Sequence, residues 1–141
     1  MQKFSIKQVE WTDNLDVLRG IRTVVFVEEQ NVPQEEEWDG RDDTAIHVLA
    51  MTPDGKPVGT ARLLDSGQIG RMAVLRDYRN HGIGGSMLNQ LVKIAAENNI
   101  GNLFLNSQFD AIPFYKKFGF IEQGETFMEA GILHRKMILP V

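Results

Sequence analysis

The densest chemistry in the sequence lies in Arg79-Asn80-His81-Gly82-Ile83-Gly84-Gly85, between an apolar run, Gly70 to Val74, and an amphipathic stretch. In that stretch Ile83, Met87, Leu88, Leu91, Ile94 and Ala95 recur at helical spacing. A strand, a glycine-rich turn and a helix start leave successive backbone N–H groups without carbonyl partners, and the positive end of the helix points the same way. Glycine at 82 and 84 keeps side chains out of the approach, and Arg79 adds a fork of charged donors. The segment therefore has the make-up of a diphosphate cradle. Nucleoside triphosphate hydrolysis is disfavoured, because no lysine accompanies Ser86 after the last glycine. The dinucleotide fingerprint fails as well, since its third glycine would fall at Met87. A glycine-rich turn without a ligand is the plain alternative.

Groups able to move a proton are scattered. Glu29, at the end of an N-terminal helical pattern, is the first candidate for a general base, followed by Asp39 and His47. For each, a solvated carboxylate or a satisfied core histidine is the competing explanation. The histidines at 47, 81 and 134 are far apart in sequence, and cysteine is absent, so no metal site is expected. Eight acids and one base, Arg41, lie between Glu28 and Asp43, giving that segment −7, and the remaining residues carry +3. The run Glu35-Glu36-Glu37 is read as a solvated face or as a lid that attracts a cationic amine.

The elements that must position these groups follow from periodicity. Lys3 to Val9 alternates as a first strand. Thr12 or Asp13 can cap a helix that buries Val17, Leu18, Ile21, Val24 and Val25. Residues 30–43 form a 14-residue connection around Pro33 and Asp39-Gly40. Two apolar runs, 45–51 and 57–64, flank a turn at 52–56, and 68–74 is a further strand. A helix from Ile83, a short strand over 103–106, a helix over 111–118 and two terminal strands over 120–129 and 132–139 complete the chain. That alternation is α/β, in the layered α+β sense, with a mixed sheet and helices packed on it.

Composition sets outer limits. The 141 residues are 43% hydrophobic and 24% charged, as in one globular domain spanning 1–141. The net charge of −4 argues against general nucleic-acid binding, and no apolar run suits a signal peptide or a membrane span. With no cysteine, a cytoplasmic location is expected.

Arg79-x-x-Gly82-x-Gly84 after Met72-Ala73-Val74 resembles the acyl-CoA pyrophosphate loop of the GNAT superfamily of N-acetyltransferases. Ala111-Ile112-Pro113-Phe114-Tyr115-Lys116-Lys117-Phe118-Gly119-Phe120 resembles that family's A-x-x-F-Y-x-x-x-G-F element, one helix and one strand later. Arg22 to Gln30, with Asp39-Gly40 and His47, is similar to the small bacterial ElaA- or YjcF-like subgroup, so the likeness covers nearly the whole chain. It implies an acyl-CoA N-acyltransferase fold, with a mixed sheet of six to seven strands and about four helices. It also implies acetyl transfer from acetyl-CoA to a primary amine of a small-molecule or peptide acceptor, by direct attack in a ternary complex. Met72, Ala73 and Val74 would face the thioester and pantetheine, and Arg79, Asn80, His81, Gly82, Ile83, Gly84 and Gly85 would hold the pyrophosphate. Tyr115 would bind the cofactor and protonate the departing sulfur. Asn106 and Gln108 would meet the pantetheine arm, although the family often has asparagine where Gln108 stands. A catalytically weak acyl-CoA sensor is the alternative function, and a homodimer is expected from base rates.

Overall fold

A computed structural model describes residues 3–140; the domain expected over 1–141 runs slightly past them at both ends. Its seven strands are β1 (Ser5–Val9), β2 (Ile46–Met51), β3 (Pro57–Leu63), β4 (Gln68–Val74), β5 (Phe104–Gln108), β6 (Ile121–Glu129) and β7 (Ile132–Ile138). Four helices accompany them: α1 (Leu15–Arg22), α2 (Gln34–Glu37), α3 (Ile83–Glu97) and α4 (Ile112–Lys116). The sheet order is β1-β2-β3-β4-β5-β7-β6, and only β4 and β5 run parallel. This is the mixed α+β architecture expected from the alternation of elements.

Burial explains the layers. β2 and β3 read as nearly unbroken apolar runs because both faces are covered. On one side Met87, Leu88 and Leu91 of α3 close over Val48, Val58, Ala61 and Leu63. On the other, Leu18 and Ile21 of α1, with Val25, pack with Trp11, Leu49 and Ala73.

The N-terminal helix departs from its sequence pattern. It starts at Leu15 with Asn14 at the cap, and neither Thr12 nor Asp13 serves; the Asn14 amide instead donates to the Glu10 carbonyl. Beyond Arg22 the helix widens into π-type turns over Thr23–Glu29, where the Gln30 N–H reaches the Val25 carbonyl. Widening rotates the apolar stripe, so Val25 is buried while Val24 is 43% exposed. The 30–43 connection is also partly ordered: Pro33, suited to a helix start, precedes α2, and a 3-10 turn spans Asp42–Thr44.

What opens the sheet is a bulge. Gly70 faces Arg62 and Ala73 faces Thr60, so β4 carries one extra residue there, with Arg71 at φ 49°. Pairing of β4 with β5 ends at Ile69↔Leu105, whereas β5 continues with β7 as far as Gln108↔His134. From Gly70 onward β4 and β5 part, and a wedge opens in the middle of the sheet.

Candidate active site

The wedge holds a cleft of about 630 Å³. Gly70, Arg71 and Met72 form its β4 wall, Asn106 and Gln108 its β5 wall, and Tyr115 reaches in from α4. The Leu75 N–H donates to Val58 of β3. By strand alternation, Ala73 turns its backbone groups to β3 and Met72 and Val74 turn theirs to the open edge. Of the expected thioester-facing trio, only Met72 and Val74 therefore present peptide groups to the wedge. The Val74 carbonyl already accepts from Arg79 Nε at 2.9 Å. Gln108 Nε2 donates to Gln30 Oε1 at 2.8 Å, tying β5 to the end of the widened helix.

The glycine-rich turn closes with Asn80 (φ 66°) and Gly82 (φ 79°) in the left-handed region. Gly82 caps α3, and its carbonyl accepts the Ser86 N–H at 3.0 Å, so the amides of Ile83, Gly84 and Gly85 precede the first helical bond. A Cβ at Gly82 would meet nothing within 4 Å, which leaves room for a ligand against those amides. Gly84 would place a Cβ 3.4 Å from Phe114, an ordinary contact. Gly85 differs, since a Cβ there would stand 2.5 Å from the Phe118 ring. Its smallness serves the packing of α3 on α4. His81 lies beside the Phe4 ring at 6.0 Å.

Glu29 and Arg79, read from the sequence as base and anion clamp, meet each other. Arg79 Nη1 and Nη2 donate to the two Glu29 carboxylate oxygens at 2.7 and 2.8 Å. These hydrogen bonds, opposed by partial burial, hold the Glu29 carboxyl below its ordinary range, which makes it a weaker proton acceptor. Glu29 also lines a separate hollow with Val24 and Tyr78 rather than the cleft that holds Tyr115.

Tyr115 is half-buried, edge-on to Phe114 at 5.0 Å and to Phe120 at 6.1 Å, with its hydroxyl 3.9 Å from Met72 Sδ. Burial pushes its phenol up to about 12, so it keeps its proton at neutral pH. His47 is a satisfied core residue. Its ring stacks on Trp11 at 4.9 Å, Nε2 lies 3.0 Å from the Asp42 carbonyl, and burial pushes its pKa down.

The acidic segment is not simply solvated. Glu35 and Glu36 are exposed, but Glu37 is 2% exposed and bonded to Arg22 Nε at 2.6 Å. Arg22 Nη1 also reaches Asp42 at 2.7 Å, and Arg62 donates to both Asp39 oxygens at 2.9 and 2.8 Å and to Asp42 at 3.1 Å. Arg71, from the bulge, bonds the Glu37 carbonyl at 3.2 Å and Asp39 at 3.3 Å. Desolvation opposes ionisation of Asp39, yet its arginine partners hold it far below the ordinary carboxylate range. Sequence reasoning missed these arginines and His134, which also lines the cleft. The available signal was a basic residue inside an apolar pattern, Arg22 after Ile21 and Arg62 between Ala61 and Leu63. Among the described residues no three His, Asp or Glu side chains gather as a metal ligand set, and no helix is long and apolar enough to cross a membrane.

The family model for the acetyltransferase (GNAT) domain matches residues 19–141. This chain belongs to the GNAT acetyltransferase family. Among its GNAT relatives is the N-acetyltransferase YjcF of Bacillus subtilis (strain 168), described as uncharacterised. The two are 39% identical over 122 residues, 84% of this chain and 86% of that one. Among solved structures, Escherichia coli ElaA superposes with a TM-score of 0.86 at 28% identity, over 96% of this chain and 99% of its own. An acyl-CoA N-acyltransferase from Pseudomonas aeruginosa superposes with a TM-score of 0.83 at 27% identity, over 99% and 100%. The fold is that of the acyl-CoA N-acyltransferases, and acyl transfer from acyl-CoA is the general chemistry of this GNAT family.

Proposed function

We propose that this GNAT protein transfers an acetyl group from acetyl-CoA to a primary amine of a small-molecule or peptide acceptor, by direct attack in a ternary complex. The carrying observation is the parting of β4 from β5 beyond Ile69. It leaves the outward backbone groups of Met72 and the Tyr115 hydroxyl on one cleft, and β4 leads from that cleft through Val74 and the turn over 79–82 to the helix-start amides of α3. The residues fit the co-substrate: Gly82 leaves the space in front of the Ile83, Gly84 and Gly85 amides free, and pyrophosphate is the anion such a helix start favours. Arg79, Asn80 and His81 precede Gly82 in the same turn, and with Arg79 Nε on the Val74 carbonyl and both Nη on Glu29, one further N–H on each Nη is left to Arg79.

Bound acetyl-CoA supplies an activated acyl group. The chain supplies the rest. The outward amides of Met72 and Val74 pair with the pantetheine chain and stabilise negative charge on the acyl oxygen. Asn106 and the free carbonyl of Gln108 line the opposite wall and orient the same arm. Tyr115 holds a proton on Oη and gives it to the departing sulfur, and its aromatic surroundings keep bulk water from that step. Glu29 acts as a positioning residue that aims Arg79.

Calorimetric titration with acetyl-CoA, beside dephospho-CoA, ATP and NAD, tests the cradle. Selective binding of acetyl-CoA, lost in Gly84→Glu, is expected; failure of acetyl-CoA to bind the folded protein would remove the site assignments together. Thiol release across an amine panel then tests transfer. The neutralisation of Glu29 by Arg79 favours a second reading, a catalytically weak acyl-CoA-binding module. Turnover by wild type, lost in Tyr115→Phe with acetyl-CoA binding kept, rules that module out.

A further inference from the structure

With Glu29 tied to Arg79, Asp39 to Arg62 and His47 to the core, the proton of the acceptor amine has no recipient among the groups picked out in the sequence. We propose that His134 is that recipient, held in its basic tautomer by Ile132 and backed by Glu129; this rests on the acyltransferase reading. His134 sits on β7 directly across from Gln108, so the two side chains share the face of the sheet that lines the cleft. It is 6% exposed, enclosed by the Phe127 ring at 5.9 Å.

Its two ring nitrogens are in different positions. Nδ1 lies 2.7 Å from the Ile132 carbonyl oxygen. A carbonyl only accepts, so Nδ1 carries the hydrogen and the neutral ring presents a lone pair at Nε2. That lone pair is the basic site. Nε2 stands 3.7 Å from Glu129 Oε2, close enough for the carboxylate to stabilise the imidazolium once it forms. The arrangement is a histidine oriented by one acceptor and backed by one carboxylate, in the same cleft as a protonated tyrosine.

Few other charges compete for it. Glu129 is the carboxylate on β6 within reach. Asp110, on the turn packed against β7, is exposed, and Lys136, two residues along β7, places its Nζ over Phe104 at 4.9 Å. Across the cleft Glu36 and Arg41 are exposed, while Arg62 and Arg71 are bonded to Glu37 and Asp39.

The protons balance. The acceptor enters as the free amine, having released one proton to solvent. As the N–C bond forms and the C–S bond breaks, His134 Nε2 takes a second proton from the nitrogen and Tyr115 Oη gives one to the sulfur. Solvent then returns the imidazolium proton to the tyrosinate, leaving amide and free thiol.

His134→Gln and Glu129→Gln, assayed by thiol release against pH with an accepted amine, test the assignment. His134→Gln is expected to lower kcat/KM about 100-fold and to abolish the acidic limb that remains once kcat/KM is expressed per free amine, with acetyl-CoA affinity and melting temperature retained. Glu129→Gln is expected to lower the rate less and to leave the limb present. That limb, per free amine, unchanged in His134→Gln overturns the proposal, as does a fall in acetyl-CoA affinity that matches the fall in rate. Long-range 1H–15N NMR on the wild-type protein needs no acceptor. It is expected to show neutral His134 protonated on Nδ1, and protonation on Nε2 overturns the proposal whatever the amine panel yields. Acetyl-CoA binding with the Nδ1 tautomer present but no amine acetylated counts instead against the acyltransferase reading.

Discussion

At the scale of single residues, the environment decides which of two similar groups can act. Tyr115 sits among Phe114, Phe120 and Met72, and burial raises its pKa to about 12 by penalising the anion. The sign matters: a raised pKa keeps the phenol protonated, so Tyr115 ionisation is expected to add no alkaline limb to kcat near pH 10, where an unperturbed phenol is half ionised. Tyr115→Phe is expected to lower kcat about 100-fold with acetyl-CoA affinity unchanged, read by thiol release beside calorimetry. Glu29 is shifted the other way. Held as an anion by Arg79, it binds a proton less readily than a free glutamate, so Glu29→Gln leaves the acidic limb of kcat/KM in place. Loss of that limb in pH–rate measurements would restore Glu29 as the base. Both residues were legible in the sequence as types at positions. Their pairing was not, because Glu29 and Arg79 are fifty residues apart and nothing between them signals that the two side chains meet.

At the scale of elements, two contacts fix how the pieces sit. α3 lies close on α4 because Gly85 leaves room for Phe118. Gly85→Ala is expected to cost about 1–3 kcal/mol through overpacking, and a second change, Phe118→Leu, to recover part of it in denaturant titrations. The α2 segment is held by Arg22, Arg62 and Arg71 against Glu37, Asp39 and Asp42. Arg22→Met takes the shorter of two arginine contacts from each of two buried carboxylates, leaving Asp42 to Arg62 and Glu37 to Arg71, and is expected to cost about 3–5 kcal/mol. At this chain length that lowers Tm by about 10–17 °C. The same network sets acid stability. The folded-state pKa of both Asp39 and Asp42 lies below the ordinary 3.8, so their contribution is complete above that value and is lost as pH falls below it. Glu37, raised above 4.5 by burial, contributes in the opposite sense, and its share declines as pH rises through its folded value. Asp42→Asn should therefore flatten the loss of stability between about pH 4 and pH 2, followed by circular dichroism. The sequence pattern located α3 and the strands within a residue or two, since their apolar periods are long. It read 30–43 as one loop, because α2 is a single turn whose anchors lie on α1, β3 and β4.

At the scale of the whole molecule, ligand and fold are linked through the wedge. Acetyl-CoA at about 100 times its Kd is expected to add about 2.7 kcal/mol to stability. For a chain of this size that raises Tm by about 5–10 °C in a thermal scan. Gly84→Glu, whose Cβ meets only an ordinary contact with Phe114, should fold and show no such rise. The sequence by itself determined the number and order of the strands, the mixed sheet and the turn that opens α3, because periodicity, turn chemistry and the free amides of a helix start are local properties. Tertiary structure alone decided where the sheet parts. That depends on a bulge at Arg71, whose left-handed backbone no local pattern announces, and on β5 taking β7 as its lasting partner. It also decided which charged groups remain available in the cleft. Arg79 neutralises Glu29, Arg62 holds Asp39, and His134, unremarkable on a terminal strand, is turned to face the same opening as Tyr115. Partnerships between distant side chains arise only when the chain closes on itself, and these set both the protonation states and the open space of the site.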